Sequence, residues 1–199
     1  MKPLFPVTNC LVRAPLSSGL RRRDLGDGPG HFGFDFAKRT FALFDDSDVP
    51  INTSTWPQCG RAIAKWLSLK ELPQDENDKS PTLSRFKNCS TYVSSFRLTR
   101  SDMFESVKRV TKSTDADWTI SQDSVGERFK EGQEDMKVRN WNVFTKMLCS
   151  QIFFVNRDGE YESRISLDNE MVGLLVEDLD EATAVGIRMA ENNEVSFSH

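Results

Sequence analysis

Apolar residues follow two different rhythms, divided by a polar break at Leu72-Pro-Gln-Asp-Glu-Asn-Asp-Lys-Ser-Pro81. Before the break the pattern is mostly helical. Leu16 to Leu25 can form a helix that carries Arg21, Arg22 and Arg23, while Pro3, Pro6 and Pro15 interrupt any helix starting before Ala14. Asp24-Leu-Gly-Asp-Gly-Pro29 reads as a turn, because Gly and Asp tolerate positive φ and Pro29 cannot continue a helix. The stretch from Phe32 to Phe44 supports two readings. Phe32, Phe34 and Phe36 alternate as in a strand, whereas Phe34, Ala37, Phe41 and Phe44 form a helical stripe. The stripe spans the whole segment and favours a helix, with Asp35, Lys38 and Arg39 turned away from it. The next helix is clearer. Thr53, Ser54 or Thr55 can cap it, Pro57 suits a first turn, and Ala62, Ile63, Trp66, Leu67 and Leu69 give a broad apolar face.

After the break the rhythm reads mainly as strands. Thr91 to Leu98, Phe104 to Val110 and Trp118 to Ile120 are the first three. Glu127 to Lys137 is charged and reads as helix or loop. Trp141 to Leu148 and Cys149 to Val155 form a nearly continuous alternating stretch. Arg157-Asp-Gly159-Glu160 predicts a hairpin turn, since Asp-Gly supplies left-handed backbone, and Tyr161 to Leu167 returns as its partner strand. Asp168 then caps a helix lined by Met171, Leu174, Leu175 and Leu179, and Thr183 to Met189 is a last strand. The tail from Glu191 to His199 is expected to fray.

Charge follows the same division. Residues 1–72 carry 10 Lys/Arg against 7 Asp/Glu, and residues 73–199 carry 16 against 23. That split predicts a helical domain over 1–72, a linker over 73–90 and a second domain over 91–199. A first domain of that size is marginal alone and gains from dimerisation. No apolar run reaches the length of a membrane span, and the first residues lack the continuous apolar core of a signal peptide. Cys10, Cys59, Cys89 and Cys149 show no C-x-x-C and read as reduced thiols of an intracellular protein.

Candidate chemistry is sparse. Two histidines, His31 and His199, give little material for zinc or for histidine catalysis. Asp45-Asp-Ser-Asp48 lacks the spacing of a calcium loop, and Gly26, Gly28, Gly30 and Gly33 follow no strand, so they are not a dinucleotide fingerprint. No nucleophile–base pair is evident, so no catalytic residue, metal or cofactor is expected. The basic clusters of the first half are Arg21-Arg-Arg23 and Lys38-Arg39. Such residues on helices can bridge phosphates, or they can form a solvated face or a localisation signal. Trp56, Trp66, Trp118 and Trp141 are core or interface anchors.

Taken in order, several short segments resemble the non-structural protein one family of influenza-like orthomyxoviruses. Asn140-Trp-Asn-Val-Phe, Ile152-Phe-Phe-Val, Arg157-Asp-Gly, Arg164-Ile-Ser-Leu and Met171-Val-Gly-Leu-Leu-Val are similar to its effector domain, and Phe96-Arg-Leu-Thr to that domain's first strand. Asp24-Leu-Gly-Asp-Gly-Pro29, Asp35-Phe-Ala-Lys-Arg39 and Gly60-Arg-Ala-Ile-Ala-Lys65 resemble the turn and helices of its RNA-binding domain. The resemblance implies an α+β protein: an N-terminal all-α dimeric RNA-binding domain, then an antiparallel sheet wrapped around one long helix. It implies a non-enzymatic viral regulator in the host nucleus and cytoplasm, binding double-stranded RNA and host proteins to suppress the interferon response. On that reading Lys38 and Arg39, with Arg21 to Arg23, contact RNA, and Phe34, Phe41, Ile63 and Trp66 form the dimer interface. The chain departs from the family at Phe36 and at Thr40-Phe-Ala42, where further basic residues are usual. It departs again at Glu177-Asp-Leu-Asp-Glu181, which has no tryptophan anchor. The rival expectation is a protein-interaction adaptor without RNA binding, its basic clusters serving nuclear import or acidic partners.

Overall fold

Asp35 decides how the phenylalanine-rich segment folds. Its carboxylate accepts a hydrogen bond from the Lys38 backbone N–H at 2.9 Å, which closes a turn over Phe36–Arg39. Short side-chain-to-backbone bonds of this kind compete with helix formation. Arg39 then adopts positive φ (50°), which no helix can include. The result in the computed structural model is a hairpin, β1 (Phe34–Asp35) and β2 (Thr40–Phe44), paired Phe34↔Phe41 and Asp35↔Thr40. The structure describes residues 33–45, 48–137, 144–156 and 159–191. The predicted helix from Leu16, its Arg21–Arg23 cluster, the turn at Asp24–Pro29, the Arg157-Asp158 part of the predicted hairpin turn and the tail beyond Glu191 lie outside those residues.

Further along the chain come β3 (Ile51–Thr53), α1 (Trp56–Leu67), β4 (Phe96–Leu98), α2 (Arg100–Thr111), β5 (Thr119–Asp123), α3 (Val125–Lys137), α4 (Phe144–Gln151) and α5 (Leu179–Glu191). Among the described residues the strands form two small sheets. β2 lies between β1 and β5, pairing with β5 in parallel from Thr40↔Thr119 to Phe44↔Asp123. β3 pairs antiparallel with β4. Both sheets therefore join strands from either side of residues 73–90. That segment is itself tied down by a Lys70↔Thr82 bridge and by Leu83 N–H donating to the Lys70 carbonyl at 2.8 Å. Within it Asp78 accepts from the Ser80 hydroxyl at 2.5 Å and from the backbone of Gln74 and Ser80, and these bonds hold its carboxyl well below the usual range.

The predicted fold class is corrected here. Among the described residues there is no all-α N-terminal domain, because residues 34–53 supply three of the five strands. Nor does an antiparallel sheet wrap one long helix. Segments expected as strands at Phe104–Val110, Cys149–Val155 and Thr183–Met189 are wholly or partly helical. Tyr161–Leu167 forms turns, and the helix expected from Asp168 begins only at Leu179. For α2 the reason is local. Thr99 and Asp102 form a reciprocal capping box, and Met103, Phe104, Val107 and Val110 then share one face. For α4 the reason is tertiary. A Cβ on Gly132 of α3 would lie 3.0 Å from Met147, so the glycine permits a close helix pair.

The core gathers Phe34, Phe41, Phe44, Met103, Phe104, Val107, Trp118 and Phe153. Phe41 stacks between Phe34 (4.5 Å) and Phe104 (4.4 Å), with Trp118 edge-on to Phe104. The Arg100 guanidinium is buried in this cluster, 4.2 Å from the Phe44 ring centre and 4.6 Å from that of Phe41, and it donates to the Ala42 carbonyl. Burial, with Arg128 nearby, pushes Arg100 down to about 9, so it keeps its charge at neutral pH. Helix α5 is fastened to α2 by Ser106, whose hydroxyl lies 2.7 Å from that of Thr183 and donates to Asp180 at 2.6 Å. Arg109 donates twice to the same carboxylate at 2.7 Å. Arg109 first, then Ser106, lower Asp180 to about 2.

Candidate interaction surface

Helix α1 starts as the sequence predicts. Thr55 is the cap, its hydroxyl accepting from the Gln58 N–H at 3.1 Å, and Pro57 sits in the first turn, where a missing N–H costs nothing. Gln58, Cys59 and Ala62 point inward, and Trp66 is half-buried edge-on to Phe86. The opposite side is where α1 departs from an ordinary surface helix. Trp56, Gly60, Ile63 and Leu67, at positions i, i+4, i+7 and i+11, form an outward stripe, flanked by Pro57 and Ala64. Trp56, Ile63 and Leu67 are 50%, 54% and 73% exposed. The helix is thus apolar nearly all round, broken only on the side of Arg61 and Lys65. Helices of that composition belong in an interior.

A strap, residues 168–178, lies along the Arg61 side of α1. Its start is fixed by the Asp168 N–H donating to the Tyr92 carbonyl at 2.7 Å and by Asn169 donating to the Ser94 carbonyl at 2.6 Å. Its middle is fixed by Gln58 donating to the Leu175 carbonyl at 2.8 Å. Its end is fixed by Glu177, which accepts from the Thr55 hydroxyl at 2.8 Å and also from Ser95 and Arg61. A carboxylate at the first turn of a helix is favoured by the unpaired N–H groups and the helix dipole. These ties leave Leu175 and Val176 72% and 98% exposed.

Two further carboxylates, Glu160 and Asp180, are held by structural contacts. Burial pushes the Glu160 carboxyl up, but hydrogen bonds from Ser163 and the Arg97 pair outweigh it and leave it below its ordinary value. Asp180 is spent on α2, as described.

Of the residues expected to bind RNA, Arg21 to Arg23 lie outside the described residues, and Lys38 and Arg39 are not on a helix. Lys38 and Arg39 stand on the β1–β2 turn, Lys38 3.5 Å from Asp35 and Arg39 3.9 Å from Asp117. Of the four expected dimer residues, Phe34 and Phe41 are in the core of their own chain, Trp66 is half-buried and Ile63 is open. Sequence reasoning missed Gly60 and Glu177. The signal for Gly60 was the apolar circumference of α1. For Glu177 there was no local signal, since its partners come from Thr55, Arg61 and Ser95. Comparison of the chain with protein-family models, with curated proteins and with solved structures found no match.

Proposed function

We propose that this chain is a non-enzymatic protein-interaction module that receives a polypeptide on the α1 face. The observation that carries the reading is the exposure of Ile63 and Leu67, with half of Trp56, along one side of α1. Contiguous exposed apolar surface of this kind marks protein contacts, and tryptophan is a frequent anchor in them. The position of Lys38 and Arg39 supports this reading over duplex-RNA binding. On a four-residue turn, with a carboxylate facing each, they do not form the helical track that spans a phosphate groove.

A photo-crosslinking residue placed at Ile63 in the full chain, in cells, tests the proposal against a control at the exposed Glu134. A polypeptide adduct at 63 and none at 134 is expected. Absence of an adduct at 63, together with a salt-sensitive duplex-RNA shift lost in Lys38→Ala/Arg39→Ala, overturns it.

A further inference from the structure

The polar break at Leu72–Pro81 has no part in the α1 reading, and it carries a signal of its own. Of the eight prolines in the sequence, only Pro81 follows a serine or threonine. Proline lacks a backbone N–H and disfavours helical backbone at the residue before it. A kinase that requires proline after its acceptor hydroxyl therefore has one address in this chain, Ser80. Ser80 is exposed, as are Gln74 to Asn77 and Lys79 on its N-terminal side. The next hydroxyl, Thr82, is fully buried and closed to the same chemistry.

The Ser80 hydroxyl also stands where a change would be felt. The loop over residues 74–80 closes around the Asp78 carboxylate. One oxygen accepts from the Ser80 hydroxyl at 2.5 Å and from the Ser80 N–H at 3.0 Å. The other accepts from the Gln74 N–H at 2.9 Å and from the Lys70 ammonium at 3.3 Å. A phosphoryl group on Ser80 removes the hydroxyl donor and sets about two negative charges against the carboxylate. Lys70 brings a single positive charge, and Glu71, Asp75 and Glu76 make the segment more acidic still. Like charges this close repel, so the modified loop opens. The bonds that close it are exposed, and such bonds also open locally without modification, which gives a kinase its access.

We propose that Ser80 is a phosphorylation site for a proline-directed serine/threonine kinase, and that the phosphate releases the 74–80 loop from Asp78. In the transfer the Ser80 Oγ attacks the γ-phosphorus of a nucleoside triphosphate. The new O–P bond forms as the bond from that phosphorus to the bridging oxygen breaks. The nucleoside diphosphate leaves with the electron pair, and the hydroxyl proton passes to a carboxylate of the kinase. The Lys70↔Thr82 bridge and the Leu83 N–H bond to the Lys70 carbonyl lie outside the loop and keep its ends together. The switch therefore opens a loop without parting the strands on either side of it.

Incubation of the full chain with a purified proline-directed kinase, magnesium and ATP tests the proposal. Mass spectrometry is expected to place a phosphate on Ser80, at a rate that falls about tenfold or more in Pro81→Ala. Amide hydrogen exchange at Gln74 and Ser80 should quicken about tenfold or more on modification, while the α2 amides keep their rates. Ser80→Ala loses the hydroxyl bond without gaining charge, so it should quicken exchange at Gln74 less. A chain left unmodified at Ser80 overturns the site, and so does a Pro81→Ala chain modified as fast as wild type. A phosphate that leaves exchange at Gln74 unchanged overturns the release of the loop. Exchange in Ser80→Ala as fast as in the modified chain overturns charge repulsion as its cause.

Discussion

Helices α1 and α2 begin alike and end in opposite roles. Each has 12 residues and each is capped by a threonine hydroxyl, Thr55 or Thr99. Helix α2 buries Met103 and Val107 completely and stacks Phe104 on Phe41. Helix α1 leaves Ile63 and Leu67 more than half exposed and Trp56 half exposed. The difference lies in what each helix meets, not in how it starts. α2 closes over the β1–β2 hairpin and is bolted to α5, whereas α1, held by the strap and by Phe86, keeps Ile63 and Leu67 exposed. Local stability and external use are therefore separable on α1 and inseparable on α2.

Four experiments break or sharpen that contrast. The largest effect is expected from Phe41→Ala, which removes a fully buried ring from between Phe34 and Phe104. It should cost about 3–5 kcal/mol in urea unfolding, and a loss near zero would mean that the three-ring stack is not the core. Next come the caps. Thr99→Ala should cost about 1 kcal/mol. Thr55→Ala should cost about 2 kcal/mol, because it also frees Glu177 of a hydrogen bond to a charged group. Equal losses would show that the strap adds nothing to α1. Gly60→Ala works in the other direction. It should stabilise by about 1 kcal/mol, since the added methyl would meet no atom among the described residues; destabilisation would refute the open space at Gly60.

The smallest effect concerns the α2–α5 bolt and shows only in acid. Asp180 ordinarily titrates near 3.8 and is lowered to about 2 in the folded chain. The stability it lends is therefore present above about pH 4 and is lost as pH falls toward 2. Asp180→Asn should flatten that limb of the stability profile. Because the pair is partly exposed, salt should shrink the effect. An unchanged limb would remove Asp180 from the account of why α2 is closed.

What the sequence disclosed follows the range of the forces involved. The cap and first turn of α1 are set by Thr55 and Pro57, neighbours in the chain, and were legible. The capping box of α2 was equally local, Thr99-x-x-Asp102, but the β-branched and aromatic content of Phe104–Val110 outweighed it. For Phe32–Phe44 both rhythms were visible, and the Asp35 turn chose the shorter one. Helix α4 depends on room made by Gly132, and the fixing of the strap depends on Thr55, Arg61 and Ser95. Neither dependence leaves a trace within a window of a few residues. The stripe that carries the proposed function was legible only in part. Ile63 was marked, whereas Gly60 gains meaning only once its surroundings are known to be empty.

The β2–β5 pairing has a consequence for synthesis. Every pair in its register is 79 residues apart. At about 5–20 residues per second, a nascent β2 waits roughly 4–16 s for its parallel partner, with Phe41 and Phe44 already made. During that interval one side of the strand offers open hydrogen-bonding groups beside two phenylalanines, the combination that invites pairing with other chains. Shelter of this strand until Thr119–Asp123 emerges therefore bears on the yield of folded chain.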